Sequence, residues 1–260
     1  MERAIISLSF DDGRRDNFRV FRDILTPGNI PATFNITSGF IDGTLPPEEF
    51  RCKIPPLTIE EIVKIYESPI CEIALHGDRH KNTEEDIETG GRKIAKWLGI
   101  PEDTVFGFAS PGGEMTSKRF NSMDNYVKKN VSYMRCDMRI TRHRRLKLFA
   151  RKVSRVVKFS PIYRFAFSDT LMTDCPDRTV YSDLVLNGNT VSQVKSIIDH
   201  AVRKKAALTL TFHTIAFDED ADKWSWSASK LEKICDHLRL LRDSGKADIL
   251  TTAELYERIR

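Results

Sequence analysis

Residues 4–13, Ala4-Ile5-Ile6-Ser7-Leu8-Ser9-Phe10-Asp11-Asp12-Gly13, are an apolar, strand-like run that ends abruptly in two carboxylates and a glycine. Carboxylates are poor strand formers, and glycine allows the backbone to turn sharply where the strand ends. Two adjacent acids repel each other unless a positive charge lies between them, most simply a metal ion. The alternative is an ordinary turn, because Asp-Gly pairs commonly mark turns.

Three further predicted strands are followed directly by histidines or by a proline-glycine turn. They are 70–75, before His76 and His80; 105–109, before Ser110-Pro111-Gly112; and 207–212, before His213. With 4–10, 32–36, 131–134 and 249–250, the sequence offers about seven strand candidates. Because helical segments separate most of them, the pattern indicates βα units, a mainly parallel sheet and a complete or incomplete barrel. The carboxyl ends of barrel strands share one face, so we expect these residues to form one site.

The chain of 260 residues is 40% apolar, which is enough to bury the core of one large domain or two small ones. No Gly/Ser- or Pro-rich linker, internal repeat or low-complexity tract divides it, so a single domain over residues 1–260 is expected. Between the strands, Thr58 and Glu61 form a predicted capping box, and a helix is expected to end near Lys129.

The cysteines and apolar runs favour a cytoplasmic protein. The five cysteines, Cys52, Cys71, Cys136, Cys175 and Cys235, are odd in number, widely spaced and without a C-x-x-C pair. Such a pattern is typical of reduced, structural thiols. No apolar run approaches membrane-spanning length, and no secretory signal peptide precedes the first strand.

Positive charge is concentrated in one segment. Residues 138–168 contain ten Lys or Arg and no Asp or Glu, so the remaining chain has 41 − 10 = 31 basic against 37 acidic residues. The apolar residues of this segment, Leu146, Phe149, Val153, Val156 and Val157, recur at helical spacing. An acid-free amphipathic helix is a candidate for binding an anionic membrane surface, at the inner face of the membrane if the protein is cytoplasmic. The alternative is a solvated basic face packed on the barrel. Nucleic acid is not an expected partner, because no recognised binding module accompanies the charge.

Three motifs resemble those of NodB-type polysaccharide deacetylases, carbohydrate esterase family 4. They are Ser9-Phe10-Asp11-Asp12-Gly13, the H-x-x-x-H of His76 and His80, and Leu210-Thr211-Phe212-His213, in the order and at separations similar to the family's. Ala32-Thr33-Phe34 also resembles the second strand of the family. The resemblance implies a distorted (β/α)7 barrel that removes N-acetyl groups from amino sugars with a divalent metal, usually Zn²⁺.

The resemblance also implies a role for each motif residue. Asp12, His76 and His80 would bind the metal, which leaves an open position for water, as catalytic zinc requires. Asp11 would be the general base that takes the proton of water, and His213 the general acid that protonates the departing amine. Backbone N–H groups in the Pro111-Gly112 turn would help to bind the oxyanion, since glycine permits close approach.

The chain departs from the family pattern at two places. The arginine that usually begins the third motif and braces the catalytic aspartate corresponds to Ala109, so the brace must come from elsewhere or be missing. The aspartate of the fourth motif, which lies near a tryptophan and tunes the acid histidine, is not recognisable. The candidates for it are Asp169, Asp174, Asp177 and Asp183.

The sequence therefore predicts a metal-dependent deacetylase that hydrolyses the N-acetyl group of an amino sugar in cell-envelope polysaccharide or O-antigen synthesis. If the membrane interpretation holds, its substrate could be a lipid-linked sugar. One alternative keeps the metal and replaces the sugar by a non-sugar amide, as in allantoinase-like relatives. The other is a catalytically degenerate barrel that binds glycan or membrane.

Overall fold

Seven parallel strands close into a barrel in the computed structural model, which describes residues 1–46, 48, 54–137, 143–217 and 224–260. The barrel strands are β1 Ala4–Phe10, β2 Ala32–Ile36, β3 Cys71–Leu75, β4 Phe106–Ala109, β5 Val131–Cys136, β6 Thr179–Leu184 and β7 Ala207–Phe212. Each strand pairs with the next along the chain, and β7 pairs with β1 over its whole length. The expected (β/α)7 barrel is therefore confirmed.

Helices connect the strands and contribute apolar residues to the core around the barrel. In chain order they are α1 Arg15–Val20, α2 Thr26–Gly28, α3 Ser38–Ile41, α4 Ile59–Tyr66, α5 Glu84–Leu98, α6 Ser117–Asn121, α7 Tyr126–Asn130, α8 Arg144–Val157, α9 Ser160–Phe167, α10 Val191–Lys204, α11 Ala228–Asp243 and α12 Thr252–Ile259. A π-helical turn, Phe21–Leu25, joins α1 to α2, and a 3-10 turn, Pro111–Gly113, follows β4. The predicted capping box of Thr58 and Glu61 forms at the start of α4.

Three short strands lie outside the seven-stranded barrel. They are β8 Thr214–Ala216, β9 Ser225–Ser227 and β10 Ala247–Ile249. The first two pair with each other, whereas β10 pairs with the amino-terminal half of β1. The segment just after β7 is therefore tied to a small sheet of its own.

The barrel interior is polar toward the carboxyl ends of its strands. Side chains of a strand alternate between its two faces, and on β1 the even-numbered residues from Ala4 to Phe10 belong to the main hydrophobic core. Ser7 and Ser9, on the other face, are also fully buried, and Ser9 accepts a 2.7 Å hydrogen bond from Asn35 of β2. Buried polar groups need such partners, so the interior can support charged side chains near its carboxyl end.

Three parts of the fold differ from the sequence-based expectation. The sixth barrel strand, β6, was not among the predicted strands, because Ser182 and Asp183 interrupt its apolar run. The strand expected near 249–250 forms as β10 and pairs with β1 as an eighth strand instead of joining the seven. The helix expected to end near Lys129 is divided into α6 and α7.

The basic stretch predicted at 138–168 contains α8 and α9, and its residues 138–142 lie outside the described residues. Cys52 also lies outside them, and the other four cysteines form no disulfide with one another. Among the helices that the structure describes, none combines the length and the apolar character needed to cross a bilayer.

Candidate active site

The residues singled out in the sequence meet at the carboxyl ends of the barrel strands, around a cavity of about 300 Å³. The cavity is lined by Asp11, Asp12, Arg14, His80, Ser110, Gly112, Gly113, Asp137, Leu184, His213 and Trp224. His76 is buried behind this lining and still contacts Asp12. The strand ends thus form one site, as the barrel topology required.

Asp12, His76 and His80 present three donor atoms to a common point. The Nε2 atoms of His76 and His80 lie 3.5 and 3.6 Å from Oδ1 of Asp12, and the three ligand atoms lie within 4.8 Å of one another. Zinc bonds of about 2.0–2.1 Å in a tetrahedron place neighbouring ligand atoms about 3.4 Å apart. The spacing of this donor set therefore fits a zinc-sized cation.

The hydrogen bonding and protonation of both imidazoles are also consistent with metal binding. Nδ1 of His76 lies 2.8 Å from the carbonyl oxygen of Ala109, while its buried Nε2 has no hydrogen-bond partner among the residues that the structure describes. A proton on Nδ1 leaves the lone pair on Nε2, as in metal-binding histidines. Burial, together with the charge that His76 carries when it is protonated, lowers the pKa of His80 to about 4, so that imidazole is neutral. Burial alone would lower the pKa of His76, but the charges of Asp11 and Asp12 raise it, and the same charges would stabilise a bound cation.

Asp12 is held in an unusual conformation by Arg14. Its φ is +81°, and Gly13 follows with a φ of +76°, so the chain turns away at once after the carboxylate. Nε and Nη2 of Arg14 donate to Oδ2 of Asp12 at 2.8 and 2.6 Å, and Nη1 donates to Thr214. Burial by itself would raise the pKa of Asp12, but Arg14 and His76 hold it well below its usual range. Arg14 occupies one carboxylate oxygen and leaves Oδ1 directed at the two imidazoles.

The second and third donors lie in a loop, as expected, and this loop is fixed by Asp86 of α5. The Asp86 carboxylate accepts hydrogen bonds of 2.8 Å from the backbone N–H groups of Arg79 and Lys81. A Cβ at Gly77 would lie 2.3 Å from Oδ2 of Asp86, so glycine is needed for this close approach. His80 has a φ of +54°, which brings its ring back toward His76.

Asp11, the expected base, is braced by an arginine that the sequence analysis did not identify. Nη2 of Arg135 contacts both carboxylate oxygens of Asp11, at 2.6 and 2.7 Å. Asn35 donates a third hydrogen bond of 2.8 Å. Burial would raise the pKa of Asp11, but the charges of Arg135, His76 and His213 together outweigh it and hold the pKa below its usual value.

Arg135 occupies the place of the arginine that is absent from position 109. Ala109 on β4 and Arg135 on β5 are direct neighbours in the strand register. Nη1 of Arg135 donates to Thr211, Asp137 and Ser182 at 2.7, 2.9 and 3.0 Å, which fixes the guanidinium. The sequence held one signal: Arg135 follows immediately after the predicted strand 131–134, on the face where the other reactive residues lie.

His213 follows β7 beside the cavity, and its ring packs against Trp224 with 5.4 Å between centroids. Its Nδ1 is buried and has no hydrogen-bond partner among the described residues. Trp224 was not among the residues singled out in the sequence.

The four aspartates considered as partners of His213 have other surroundings. Asp169 pairs with Arg151 at 3.3 Å, and Asp183 accepts a 2.7 Å hydrogen bond from the hydroxyl of Tyr163. The carboxylate of Asp177 accepts a backbone hydrogen bond from Thr179, and Asp174 is exposed. In the part of the chain that the structure describes, none of them bonds Nδ1 of His213.

The two residues of the Pro111-Gly112 turn differ in what they can offer. Gly112 lines the cavity with a φ of +67°. Pro111 is buried, does not line the cavity and, as a proline, has no N–H to donate. Its carbonyl oxygen accepts a 2.8 Å hydrogen bond from Asn82, which holds the turn. Only Gly112 of this pair could act as a backbone donor.

Comparison with known families gives one match over half of the chain. The sequence model of the polysaccharide deacetylase family matches residues 1–130. No curated protein matches the chain.

Several solved structures are similar in fold. A protein from Mycobacterium smegmatis assigned as a polysaccharide deacetylase is 13% identical, with a TM-score of 0.56 over 100% of this chain and 91% of that one. The catalytic domain of a peptidoglycan N-acetylglucosamine deacetylase from Eubacterium rectale is 17% identical, with a TM-score of 0.45 over 96% and 90% of the two chains. The deacetylase domain of BpsB from Bordetella bronchiseptica is 15% identical, with a TM-score of 0.39 over 50% and 62%. This chain spans 57–63% of the length of that domain and of two others that it matches.

Proposed function

This chain belongs to the polysaccharide deacetylase family, and we propose that it is a metal-dependent hydrolase that removes the N-acetyl group of an amino sugar. Members of the family hydrolyse the C–N bond of N-acetyl groups. The observation that carries the proposal for this chain is the cavity itself. There a donor set of zinc-like spacing, Asp12 with His76 and His80, lies beside the braced carboxylate of Asp11 and beside His213.

Each side chain has a role in the proposed hydrolysis. Asp12, His76 and His80 would hold Zn²⁺, which when bound polarises the acetyl carbonyl and lowers the pKa of water. Asp11, fixed by Arg135, takes a proton from the water that attacks the carbonyl carbon. The C–N bond then breaks, His213 gives a proton to the departing amine, and acetate and the free amino sugar leave. The N–H of Gly112 is the proposed donor to the developing oxyanion.

We infer further that the substrate belongs to cell-envelope polysaccharide or O-antigen synthesis and is carried on a lipid. The inferred location is the cytoplasm, at the inner face of the membrane, and the inferred domain organisation is a single catalytic domain over 1–260. The support is the acid-free basic stretch at 138–168, which favours contact with anionic lipid. Two departures from the family pattern favour a degenerate barrel, and the first of them, the alanine at position 109, is weakened because Arg135 braces Asp11.

Elemental analysis of the purified protein tests the metal site, with His76→Ala as the variant and His237→Ala as its matched control. His237 lies on α11 and pairs with Asp199 at 2.8 Å, away from the cavity. We expect about one zinc per chain in the wild type and in the control, and none in His76→Ala, because loss of one of three protein ligands leaves an incomplete site.

Release of acetate from N-acetylglucosamine oligomers then tests the reaction. We expect activity that depends on zinc and is lost in His76→Ala. Hydrolysis of allantoin without acetate release from sugars would favour the non-sugar amide. Absence of metal after zinc is added back would favour the degenerate barrel.

A further inference from the structure

Helix α8 lies on the protein with its apolar side turned outward. Leu146, Phe149, Val153, Val156 and Val157 follow one another at helical spacing and therefore share an arc of about 100°. The side chain of Phe149 is 65% exposed and that of Val156 is 81% exposed, while Leu146 and Val157 are more than half exposed. A helix on the surface of a globular protein normally buries its apolar arc, so this orientation is inverted.

The face of α8 that packs on the protein is largely polar. Ala150, Arg151 and Ser154 are its buried residues. Arg151 pairs with Asp169 at 3.3 Å and donates to the backbone oxygen of Asp137 at 3.1 Å. A buried arginine needs such partners, which fix the rotation of the helix about its axis. The outward direction of the apolar arc is therefore set by specific polar contacts.

Basic residues border the exposed apolar arc. At 100° per residue, Arg145 and Lys152 lie beside Phe149 and Val156, and both are exposed. No acidic residue occurs between positions 138 and 168, although the rest of the chain carries a net charge of −6 (31 basic and 37 acidic residues). This arrangement is typical of a helix at the surface of a lipid bilayer, where apolar side chains enter the acyl region and cations lie at the depth of the headgroups.

We propose that α8 is an interfacial helix that docks the protein on the surface of an anionic lipid bilayer. The apolar arc lies among the acyl chains near the headgroups, and Arg145 and Lys152 reach the lipid phosphates with their long side chains. Charge selects a lipid surface as the occupant, because an acid-free, strongly basic segment is attracted by the negative potential of an anionic leaflet. This binding does not depend on the proposed enzymatic activity.

The docked helix would place the cavity beside the membrane. Asp137, whose backbone oxygen receives the hydrogen bond from Arg151, lines the cavity. At the carboxyl end of α8, Lys158 donates to the backbone oxygen of Gly188, four residues beyond the cavity residue Leu184. If the proposed function holds, an amino sugar attached to a membrane lipid could enter the cavity while its carrier stays in the bilayer.

Co-sedimentation with vesicles tests the proposal. The full-length protein is mixed with vesicles of phosphatidylcholine alone or with 30% phosphatidylglycerol (roughly the charge of an anionic leaflet). We expect binding to the anionic vesicles, weakening as salt is raised, and little binding to the neutral ones. Phe149→Ser and Lys152→Glu are each expected to weaken it about tenfold or more, the first by loss of apolar burial and the second by reversal of one charge.

Helix α11 offers matched controls, since Leu240 is 68% exposed and Lys233 is also exposed. Leu240→Ser and Lys233→Glu should bind like the wild type. Equal binding to neutral vesicles, or equal losses in the α8 and α11 variants, would overturn the proposal. A third outcome would also overturn it: the protein self-associates in sedimentation velocity, Phe149→Ser dissociates it, and neither the wild type nor any variant binds vesicles. The apolar arc would then be covered by a second copy of this chain.

Discussion

Arg135 is the residue on which the position of the proposed base depends. It contacts both oxygens of Asp11 from the strand next to the one that carries the arginine in the family pattern. A carboxylate buried in a polar barrel keeps its charge only when a cation and hydrogen bonds compensate for lost solvation. The side chain that compensates can start from a neighbouring strand, provided that its guanidinium reaches the same point.

Moving the arginine from position 135 to position 109 tests whether either strand can supply the group that braces Asp11. We expect Arg135→Ala to lower kcat by on the order of 100-fold, with a smaller effect on KM, because a displaced base affects the transition state more than substrate binding. Ala109→Arg combined with Arg135→Ala should recover part of the loss, since the two positions are register neighbours. Steady-state kinetics with acetate release as the readout measures both, and thermal denaturation identifies variants that fail to fold.

A third variant separates a positioning role from a purely structural one. If Arg135 acts through Asp11, its removal should cost little further activity in an Asp11→Asn background, because the two effects are then not additive. An undiminished kcat in Arg135→Ala, or full additivity with Asp11→Asn, would contradict the positioning role.

The residues of the site were predictable to different degrees. Asp12, His76 and His80 were indicated by short motifs at strand ends, where the residue types themselves suggest a metal. Trp224 was not, because nothing in the sequence between it and His213 indicates that their rings pack together. Arg135 was not, because its partner, Asp11, is distant in sequence and only the closure of the barrel brings the two together. Long-range pairs of this kind leave no local pattern.

Strand β6 is a secondary-structure element that the sequence likewise did not predict. Strands β1 and β7 were predicted because apolar residues dominate both and their polar residues are single serines or threonines between apolar ones. In β6, Ser182 faces the polar interior and bonds Arg135, while Asp183 bonds Tyr163 of α9 on the outer side. Both residues are buried, and yet they give the sequence the appearance of a loop.

Asp183 should make the docking of α9 on β6 dependent on pH. Burial and, to a smaller extent, the charge of Asp137 raise its pKa to about 7. The hydrogen bond from Tyr163 and the charges of Arg151 and Arg155 oppose this rise. Because the folded protein binds this proton more tightly than the unfolded chain, the contribution of Asp183 to stability falls as pH rises from about 4 to 7. Each unit of pKa corresponds to about 1.4 kcal/mol of the free energy of unfolding.

Asp183→Asn, which keeps an oxygen for the Tyr163 hydroxyl, removes this proton. We expect the variant to be more stable than the wild type at pH 8, by about 4 kcal/mol at most, and the difference to shrink at pH 5. Urea unfolding at the two pH values measures it. Asp174→Asn, at an exposed position, is the control and should change neither value. A difference between Asp183→Asn and the wild type that is the same at pH 5 and pH 8 would contradict the assignment.

The closed barrel brings together groups that would repel one another in isolation. Asp11 and Asp12 are adjacent, buried carboxylates, and the chain offsets them with two separate arginines, Arg135 and Arg14. Histidines from the loop after β3 complete the cluster, so that the ends of β1 and β3, with β2 between them, are linked through side chains. A cation among Asp12, His76 and His80 would join these strand ends directly.

Metal binding should therefore stabilise the fold as well as supply the chemistry. A ligand that binds only the folded state adds about 2.7 kcal/mol at a free concentration of 100 times its Kd, which for a chain of this size corresponds to a rise in Tm of roughly 5–10 °C. The measurement is differential scanning calorimetry of protein treated with a chelator, before and after addition of Zn²⁺. His237→Ala should show the same rise as the wild type and His76→Ala should show none, because only the latter removes a donor. A rise of equal size in His76→Ala would mean that zinc binds elsewhere, and no rise in the wild type would mean that these three side chains do not form a zinc site.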